Sequence, residues 1–161
     1  EPMGGLALGV GIDAEPTAIP VGKGERLKDG TDVTLLAIGN RVHPALEAAQ
    51  ILEDKGYSVG VVNMRFVKPM DVELLKECAA KTPRLVTIED NGVIGGVGAV
   101  FLQRLSAAGI TTPVPIHGIP QEFLDPANRG KILERIGLGP QAIALGVIEE
   151  LAELPPVPAE R

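Results

Sequence analysis

The feature that most constrains this fold is a regular alternation of short apolar runs with stretches that carry helical spacing. Apolar runs rich in β-branched residues occupy 33–38, 58–62 and 85–88, and each precedes an amphipathic stretch; a fourth run follows at 114–119. Strands joined through helices by short connections form β-α-β units, which build a mostly parallel sheet covered on both faces. We therefore predict a three-layer α/β domain, whose sheet is mostly parallel and has one antiparallel edge strand.

The sharpest local motif is the turn between the third run and its helix. Glu89 and Asp90 end the run, and Gly95 and Gly96 follow within a cluster of glycines. Clustered glycines indicate positive φ or a close backbone approach. Adjacent strand residues point to opposite faces, so these carboxylates form a poor acid–base pair. We expect one of them to accept hydrogen bonds from backbone N–H groups of the turn.

A dinucleotide-binding fingerprint is the main alternative for this turn. In the best register, Gly96 and Gly98 are followed by Phe101 where a third glycine or alanine is required. The next strand ends in Ile116–Gly118 and offers no acidic residue for a ribose. The two carboxylates before the turn would also repel a pyrophosphate. The sequence therefore favours a tight packing turn over a nucleotide site.

Arg65 directly follows the second strand, so it lies at the same carboxyl edge of the sheet as Glu89. This edge is where open α/β sheets bind ligands or partners. An ion pair between strand ends is the structural interpretation of Arg65. Binding of an anionic ligand, or of a carboxylate from another domain, is the alternative. The histidines His43 and His117 are far apart and show no metal-ligand spacing, so we predict no metal site.

Composition excludes several classes of partner. A chain of 161 residues builds one core of ordinary size. The formal charge of -6 and a pI near 5.0 argue against binding nucleic acid or an anionic membrane. No apolar run approaches the ~20 residues that a membrane span needs. The single cysteine, Cys78, is expected to be a core residue and fits a reducing cytoplasm.

Three regions are predicted along the chain. Residues 1–20 are rich in glycine and proline and are interpreted as a linker or arm. Residues 21–152 form the domain, with an edge strand assigned to Val21–Leu27. Residues 153–161 form a proline-rich tail.

Five separated segments, all in the same order, closely resemble the C-terminal domain of the 1-deoxy-D-xylulose-5-phosphate synthase family. Transketolases and 2-oxoacid dehydrogenases share the R-x-x-x-P-x-D pattern and the glycine turn more distantly. The segments are PVGKGE at 20–25, VNMRFVKPMD at 62–71, VTIEDN at 86–91 with GGVG at 95–98, GIPQEF at 118–123 and IGL at 136–138.

This resemblance implies a function for the parent enzyme and a limited role for this chain. Such enzymes join pyruvate and glyceraldehyde 3-phosphate with loss of carbon dioxide, in isoprenoid precursor synthesis. They use thiamine diphosphate and magnesium, which upstream domains hold, and this chain lacks their G-D-G…N motif. The resemblance implies a homodimeric parent, contacts with its upstream domains, no cofactor bound by this chain alone and no catalytic residue here. Arg65, Glu89, Gly95 and Gly96 are candidates for inter-domain contacts.

One position departs from the family pattern. The family reads Tyr-Pro-Arg-Gly before this domain, and its arginine contacts the substrate phosphate, whereas this chain reads Glu1-Pro2-Met3-Gly4. Two alternatives to a synthase domain stay open. The chain could be a free-standing binding or assembly module, or the C-terminal piece of another transketolase-like enzyme.

Overall fold

The fold is a five-stranded sheet between two layers of helices, described by a computed structural model over residues 18–153. The strands stand in the order β1-β3-β2-β4-β5; β1 is antiparallel to β3, and all other pairs are parallel. The predicted three-layer fold with an antiparallel edge strand is confirmed. In chain order the elements are β1 (Glu25–Lys28), β2 (Val33–Ala37), a 3-10 turn (Gly39–Arg41), α1 (Val42–Glu53), β3 (Val59–Asn63), α2 (Val72–Lys81), β4 (Leu85–Gly92), α3 (Val97–Ala107), β5 (Ile116–Ile119), α4 (Arg129–Arg135) and α5 (Pro140–Glu153).

Two apolar clusters hold the layers together, one on each face of the sheet. Alternate residues of β2 divide between them, because successive strand side chains point to opposite faces. Leu35 packs with the helices α1 and α5, whereas Leu36 packs with α2 and α3. Phe101 of α3 is 1% exposed and is among the largest fully buried side chains. Because aromatic residues are scarce, the buried core on the α1 and α5 face consists of aliphatic side chains, including three buried alanines of α1.

Two predicted strand boundaries differ from those of the structure by four residues, and the remaining strand ends agree to within two residues. The edge strand begins at Glu25 rather than at Val21, because a turn closes first: Lys23 N–H donates to the Pro20 carbonyl at 3.2 Å, and Gly22 has φ +76°. Strand β4 extends to Gly92 instead of ending at Ile88. The polar residues prolong the strand, since the side chain of Glu89 is buried and Gly92 pairs with Ile119 of β5.

The helix boundaries follow local capping chemistry that was readable in the sequence. Asp71 is the N-cap of α2, and its Oδ1 accepts a hydrogen bond from Leu74 N–H at 3.2 Å, as predicted. Gly109 has φ +72° and follows the last turn of α3, as predicted. The position of Met3, the arm before residue 18 and the tail after residue 153 lie outside the described residues. The predicted domain boundaries stay predictions.

Candidate functional site

The carboxyl edge of the parallel strands gathers the candidate residues. The loops after β2, β3, β4 and β5 leave from this edge, and antiparallel β1 enters the sheet there. Arg65 lies in the loop after β3, and the turn with Gly95 and Gly96 follows β4. The fold therefore places all candidate residues at the edge expected from the sequence, although β2 separates Arg65 from the β4 turn.

Glu89 is an internal anchor of the turn. It is 1% exposed, and its two carboxylate oxygens accept hydrogen bonds from Val97 N–H at 2.7 Å and Gly98 N–H at 2.8 Å. Those N–H groups belong to the first turn of α3, where no intrahelical carbonyl is available. A negative charge also complements the helix dipole at this end. The hydrogen bonds expected between a carboxylate and the glycine turn are confirmed.

Gly95 and Gly96 are required for different reasons. A Cβ at Gly96 would lie 2.2 Å from the Gly92 carbonyl oxygen and 2.6 Å from Glu89 Oε2. Gly95 has open space around it but adopts φ +76°, a conformation that costs an L-residue energy. Gly96 is thus required because there is no space for a side chain, and Gly95 is required because of its positive φ.

Arg65 forms an ion pair, but not with Glu89. Its Nη2 contacts Oε2 of Glu25 at the start of β1, the strand that flanks β3 directly. Arg65 also has φ +53°, and its N–H donates to Asn63 Oδ1 at 3.1 Å. An Arg65–Glu89 pair is prevented because β2 stands between their strands and because α3 occupies both oxygens of Glu89.

A second polar cluster, missed by sequence reasoning, fills the crevice between β2 and β4. The helices that follow these strands pack on opposite faces, so this crevice is the switch point where open α/β sheets bind ligands. Asn40 Nδ2 donates to Asp90 Oδ2 at 2.8 Å, and Arg129 pairs with the same oxygen. Arg129 comes from α4, and nothing in its local sequence signals this contact.

Arg41 lies at the bottom of that cluster and is 8% exposed. Its Nε donates to Asn40 Oδ1 at 2.8 Å and its Nη1 to the Leu138 carbonyl at 2.9 Å. Burial lowers the pKa of Arg41, an effect that nearby Asp90 opposes. The crevice is therefore occupied by the chain's own side chains, which tie the segment before α5 to the sheet.

The chemistry available at this edge does not fit thiamine diphosphate or its magnesium. The first N–H groups of α3, which could cradle a phosphate, already serve Glu89, whose charge would repel one. Within residues 18–153, no three His, Cys, Asp or Glu side chains are grouped as metal ligands. His43 and His117 instead contact Glu47 and Glu150, each at 3.0 Å.

Two shallow grooves flank the turn. The first, with a volume of about 260 Å³, is lined by Val67, by Asn91 and Gly92 at the end of β4, and by five residues between Ile94 and Val100. The second, of about 480 Å³, runs between Ile94 and Phe123. Ile94 is 72% exposed and forms part of both walls. No helix in the described part of the chain combines the length and apolar character needed to cross a membrane.

The family model for the C-terminal domain of transketolase matches residues 22–143, so the chain belongs to the transketolase C-terminal domain family. Within that class, its curated relatives include 1-deoxy-D-xylulose-5-phosphate synthases. The synthase of Heliobacterium modesticaldum is 42% identical over 149 residues, which are 92% of this chain and 23% of that protein. The synthase of Gloeobacter violaceus is 41% identical over 137 residues, which are 85% of this chain and 22% of that protein. The chain thus spans less than a quarter of these relatives' length.

Solved structures agree with this assignment. A structure described as a split gene transketolase, inactive beta4 tetramer, has a TM-score of 0.74 and 38% sequence identity. The match covers 81% of this chain and 42% of that one. A transketolase mutant from Pichia stipitis, at 20% identity and a TM-score of 0.57, shares the fold over 80% of this chain and 18% of its own.

Proposed function

We propose that this chain is the C-terminal domain of a thiamine-diphosphate-dependent 1-deoxy-D-xylulose-5-phosphate synthase. The observation that carries the proposal is its similarity to such synthases, at about 40% identity across nearly the whole chain. The parent enzyme would join pyruvate and glyceraldehyde 3-phosphate and release carbon dioxide. It would act as a homodimer in the cytoplasm, where a single buried cysteine is compatible with reducing conditions.

The proposed role of this part is structural, and the chain alone is expected to be inactive. Polar side chains at the carboxyl edge satisfy one another instead of converging on an open cleft: Asp90 with Arg129, Arg65 with Glu25, and Asp71 with Lys23. Thiamine diphosphate and magnesium would be bound by the upstream domains of the parent. Together they would supply the stabilised carbanion that this chemistry requires.

The proposed contacts with those upstream domains lie in the loops after β3 and β4. The side chain of Arg65 is 23% exposed and that of Glu25 is 39% exposed, so their pair is within reach of a partner's carboxylate. Gly95 and Gly96 present the turn that carries exposed Ile94. Glu89 is buried, and it would act by holding this turn in position.

The test is reconstitution from two polypeptides. The upstream part of the Heliobacterium modesticaldum synthase and the present chain would be purified separately, mixed, and assayed for synthesis from pyruvate and glyceraldehyde 3-phosphate. We expect neither part alone to be active and the mixture to gain activity. Micromolar binding of thiamine diphosphate with magnesium to the present chain alone would contradict the proposed division of labour.

Arg65→Ala tests the contact itself. We expect this change to weaken association with the upstream part by about tenfold, because it removes a charged partner from the interface. The control is Lys55→Ala, which removes an exposed positive charge beyond the end of α1, at the opposite edge of the sheet. Association measured by titration calorimetry that is equally unaffected by both changes would remove Arg65 from the interface.

A further inference from the structure

Two sequence motifs of this chain meet in space beside the loop after β3. The segment PVGKGE at 20–25 leads into β1, and the loop at 64–71 leads from β3 into α2. Because β1 is antiparallel to β3, its beginning lies beside the end of β3, with Glu25 opposite Asn63. The two segments are therefore neighbours at the carboxyl edge, although Glu25 and Arg65 are 40 residues apart in the chain.

Asp71 joins these two segments, and its side chain is only 7% exposed. Its Oδ2 accepts a hydrogen bond from Gly24 N–H at 3.2 Å. Its Oδ1 accepts one from Leu74 N–H at 3.2 Å and lies 3.4 Å from Lys23 Nζ. An N-cap side chain needs only the hydrogen bond to the first turn of the helix. The contacts with Lys23 and Gly24 thus serve the segment before β1 and not α2.

The backbones of the two segments also pack closely at two glycines. An added Cβ at Gly22 would lie 2.7 Å from Cγ of the Pro69 ring. At Gly24 it would lie 2.6 Å from Leu74 Cδ2 and 3.2 Å from the Asn63 carbonyl oxygen. Glycine suits positions where a backbone approaches another part of the chain this closely. The segment is therefore held by packing as well as by hydrogen bonds.

The conformation of Arg65 depends on the same segment. Phe66 N–H donates to the Met64 carbonyl at 2.5 Å, and Arg65 between them has φ +53°, the sign of the rarer form of γ-turn. A positive φ strains a residue that has a Cβ, and it persists only where surrounding contacts hold it. The guanidinium is held by Glu25, which directly follows Gly24.

We propose that Asp71 is a positioning residue for Arg65. By fixing Gly24 it fixes Glu25, and through Glu25 it fixes the direction of the guanidinium. A guanidinium that is already fixed loses less conformational freedom when it binds a carboxylate. That this carboxylate belongs to the upstream domains rests on the proposed function, whereas the link from Asp71 to Arg65 lies within this domain.

Asp71→Ser tests the link without removing the helix cap. Serine is a good N-cap residue, but its single oxygen cannot replace both carboxylate oxygens, so the contact with Gly24 is lost. In the present chain alone, we expect the backbone amides of Arg65 and Phe66 to exchange hydrogen about tenfold faster, because the turn that they form is no longer held. Exchange within α2 should stay unchanged, which separates this effect from a general loss of stability.

Two further variants serve as controls for this result. Asp32→Ser is the matched control, because Asp32 also accepts a backbone N–H from another segment, that of Ser58 at 2.7 Å, but at the opposite edge of the sheet. Lys23→Ala removes only the exposed partner of Asp71 and should accelerate exchange by less, roughly twofold. Exchange at the two amides that is unchanged by Asp71→Ser, or equally faster in Asp32→Ser, would overturn the proposal.

Association with the upstream part of the Heliobacterium modesticaldum synthase gives the functional readout. Asp71→Ser, Arg65→Ala and the double variant would each be titrated by calorimetry. We expect Asp71→Ser to weaken association about fivefold in the native chain and to have no effect beside Arg65→Ala, since residues that act through one contact are not additive. Equal weakening in both backgrounds would overturn the positioning role. If the native chain does not associate at all, the proposed function fails, and the exchange experiment alone decides the link to Arg65.

Discussion

At the scale of single residues, the β4–α3 turn depends on two glycines that are not interchangeable. We expect Gly96→Ala to lower the free energy of unfolding by about 1–3 kcal/mol or more, because its Cβ would meet the Gly92 carbonyl at 2.2 Å. Gly95→Ala should cost about 1–2 kcal/mol, through backbone strain at φ +76° alone. Urea denaturation of each variant measures both effects.

The matched control for these substitutions is Gly130→Ala. Gly130 lies in α4, has no positive φ, and an added Cβ would approach no atom closer than 3.5 Å. This change should leave the domain as stable or raise its stability by roughly 0.5–1 kcal/mol, since alanine loses less backbone freedom on folding. If all three variants unfolded at the same urea concentration, the close packing described for the turn would be wrong.

Residue-scale prediction from the sequence succeeded where the partner was local. The carboxylate before the glycines was expected to accept N–H groups from the turn, and Glu89 does so over a separation of eight and nine residues. Asp71 was recognised as an N-cap for the same reason. Arg65 was placed at the correct edge, but its partner Glu25 is 40 residues away. Choosing between distant carboxylates requires the strand order, which local sequence does not contain.

At the scale of elements, Arg41 couples the start of α1 to the segment that leads into α5. We expect Arg41→Met to lower the free energy of unfolding by about 1–3 kcal/mol, because the Leu138 carbonyl would lose its donor in a buried setting. Arg129→Met is the control within the same cluster. The side chain of Arg129 is 63% exposed, so solvent screens its pair with Asp90, and its loss should cost less than about 1 kcal/mol.

Denaturant unfolding distinguishes these two arginines, and added salt separates them further. Raising the ionic strength should weaken the exposed Arg129 contact and leave the buried hydrogen bonds of Arg41 nearly unchanged. Equal losses for the two variants at all salt concentrations would show that burial does not control the strength of this cluster.

The same cluster marks the limit of what the sequence predicted about the helices and strands. Periodicity found α4 and α5, but not which crevice of the sheet their connection would fill.

At the scale of the whole molecule, the rate at which a reagent labels the Cys78 thiol measures the cooperative opening of the domain. The thiol is fully buried in the cluster between the sheet and α2, and burial raises its pKa. We expect a thiol reagent to label the native chain at least about 10³-fold more slowly than the urea-unfolded chain, because labelling requires extensive opening. Leu145→Cys supplies an exposed control thiol in the same molecule. Fast labelling of Cys78 would contradict a closed core around α2.

Ionisation of the same thiol makes the stability of the domain depend on pH, and this contribution to stability falls as the pH rises. Because the pKa of the folded thiol lies above the unfolded value of about 8.5, its contribution to stability is complete below that pH and is lost as the pH rises. Other groups titrate in the same range, so the comparison is with Cys78→Ala. We expect the free energy of unfolding to fall less steeply between about pH 7 and 10 in that variant. An identical slope would show that the thiol ionises equally in both states.

The architecture was predictable from the sequence because its signals repeat. Three successive strand–helix units impose a parallel sheet whatever the individual boundaries are, and both confirmed capping residues support that reading. The boundaries that were wrong involve tertiary pairing. Strand β4 gains four residues because β5 lies beside its end, and β1 loses four at its start because a turn competes with pairing. Such outcomes depend on neighbours far away in the chain.

The reversed direction of β1 has a consequence for binding strength. If β1 were parallel to its neighbour β3, the preceding polypeptide would join the sheet at the opposite edge. Because β1 is antiparallel, that polypeptide joins beside the loops after β3 and β4. Any polypeptide that precedes β1 in the same chain is therefore held next to this surface. A short flexible linker gives it an effective concentration in about the millimolar range. Contacts that would be far too weak to hold two separate molecules together can therefore remain formed most of the time. The antiparallel direction of this four-residue strand therefore allows a surface that binds weakly to remain occupied.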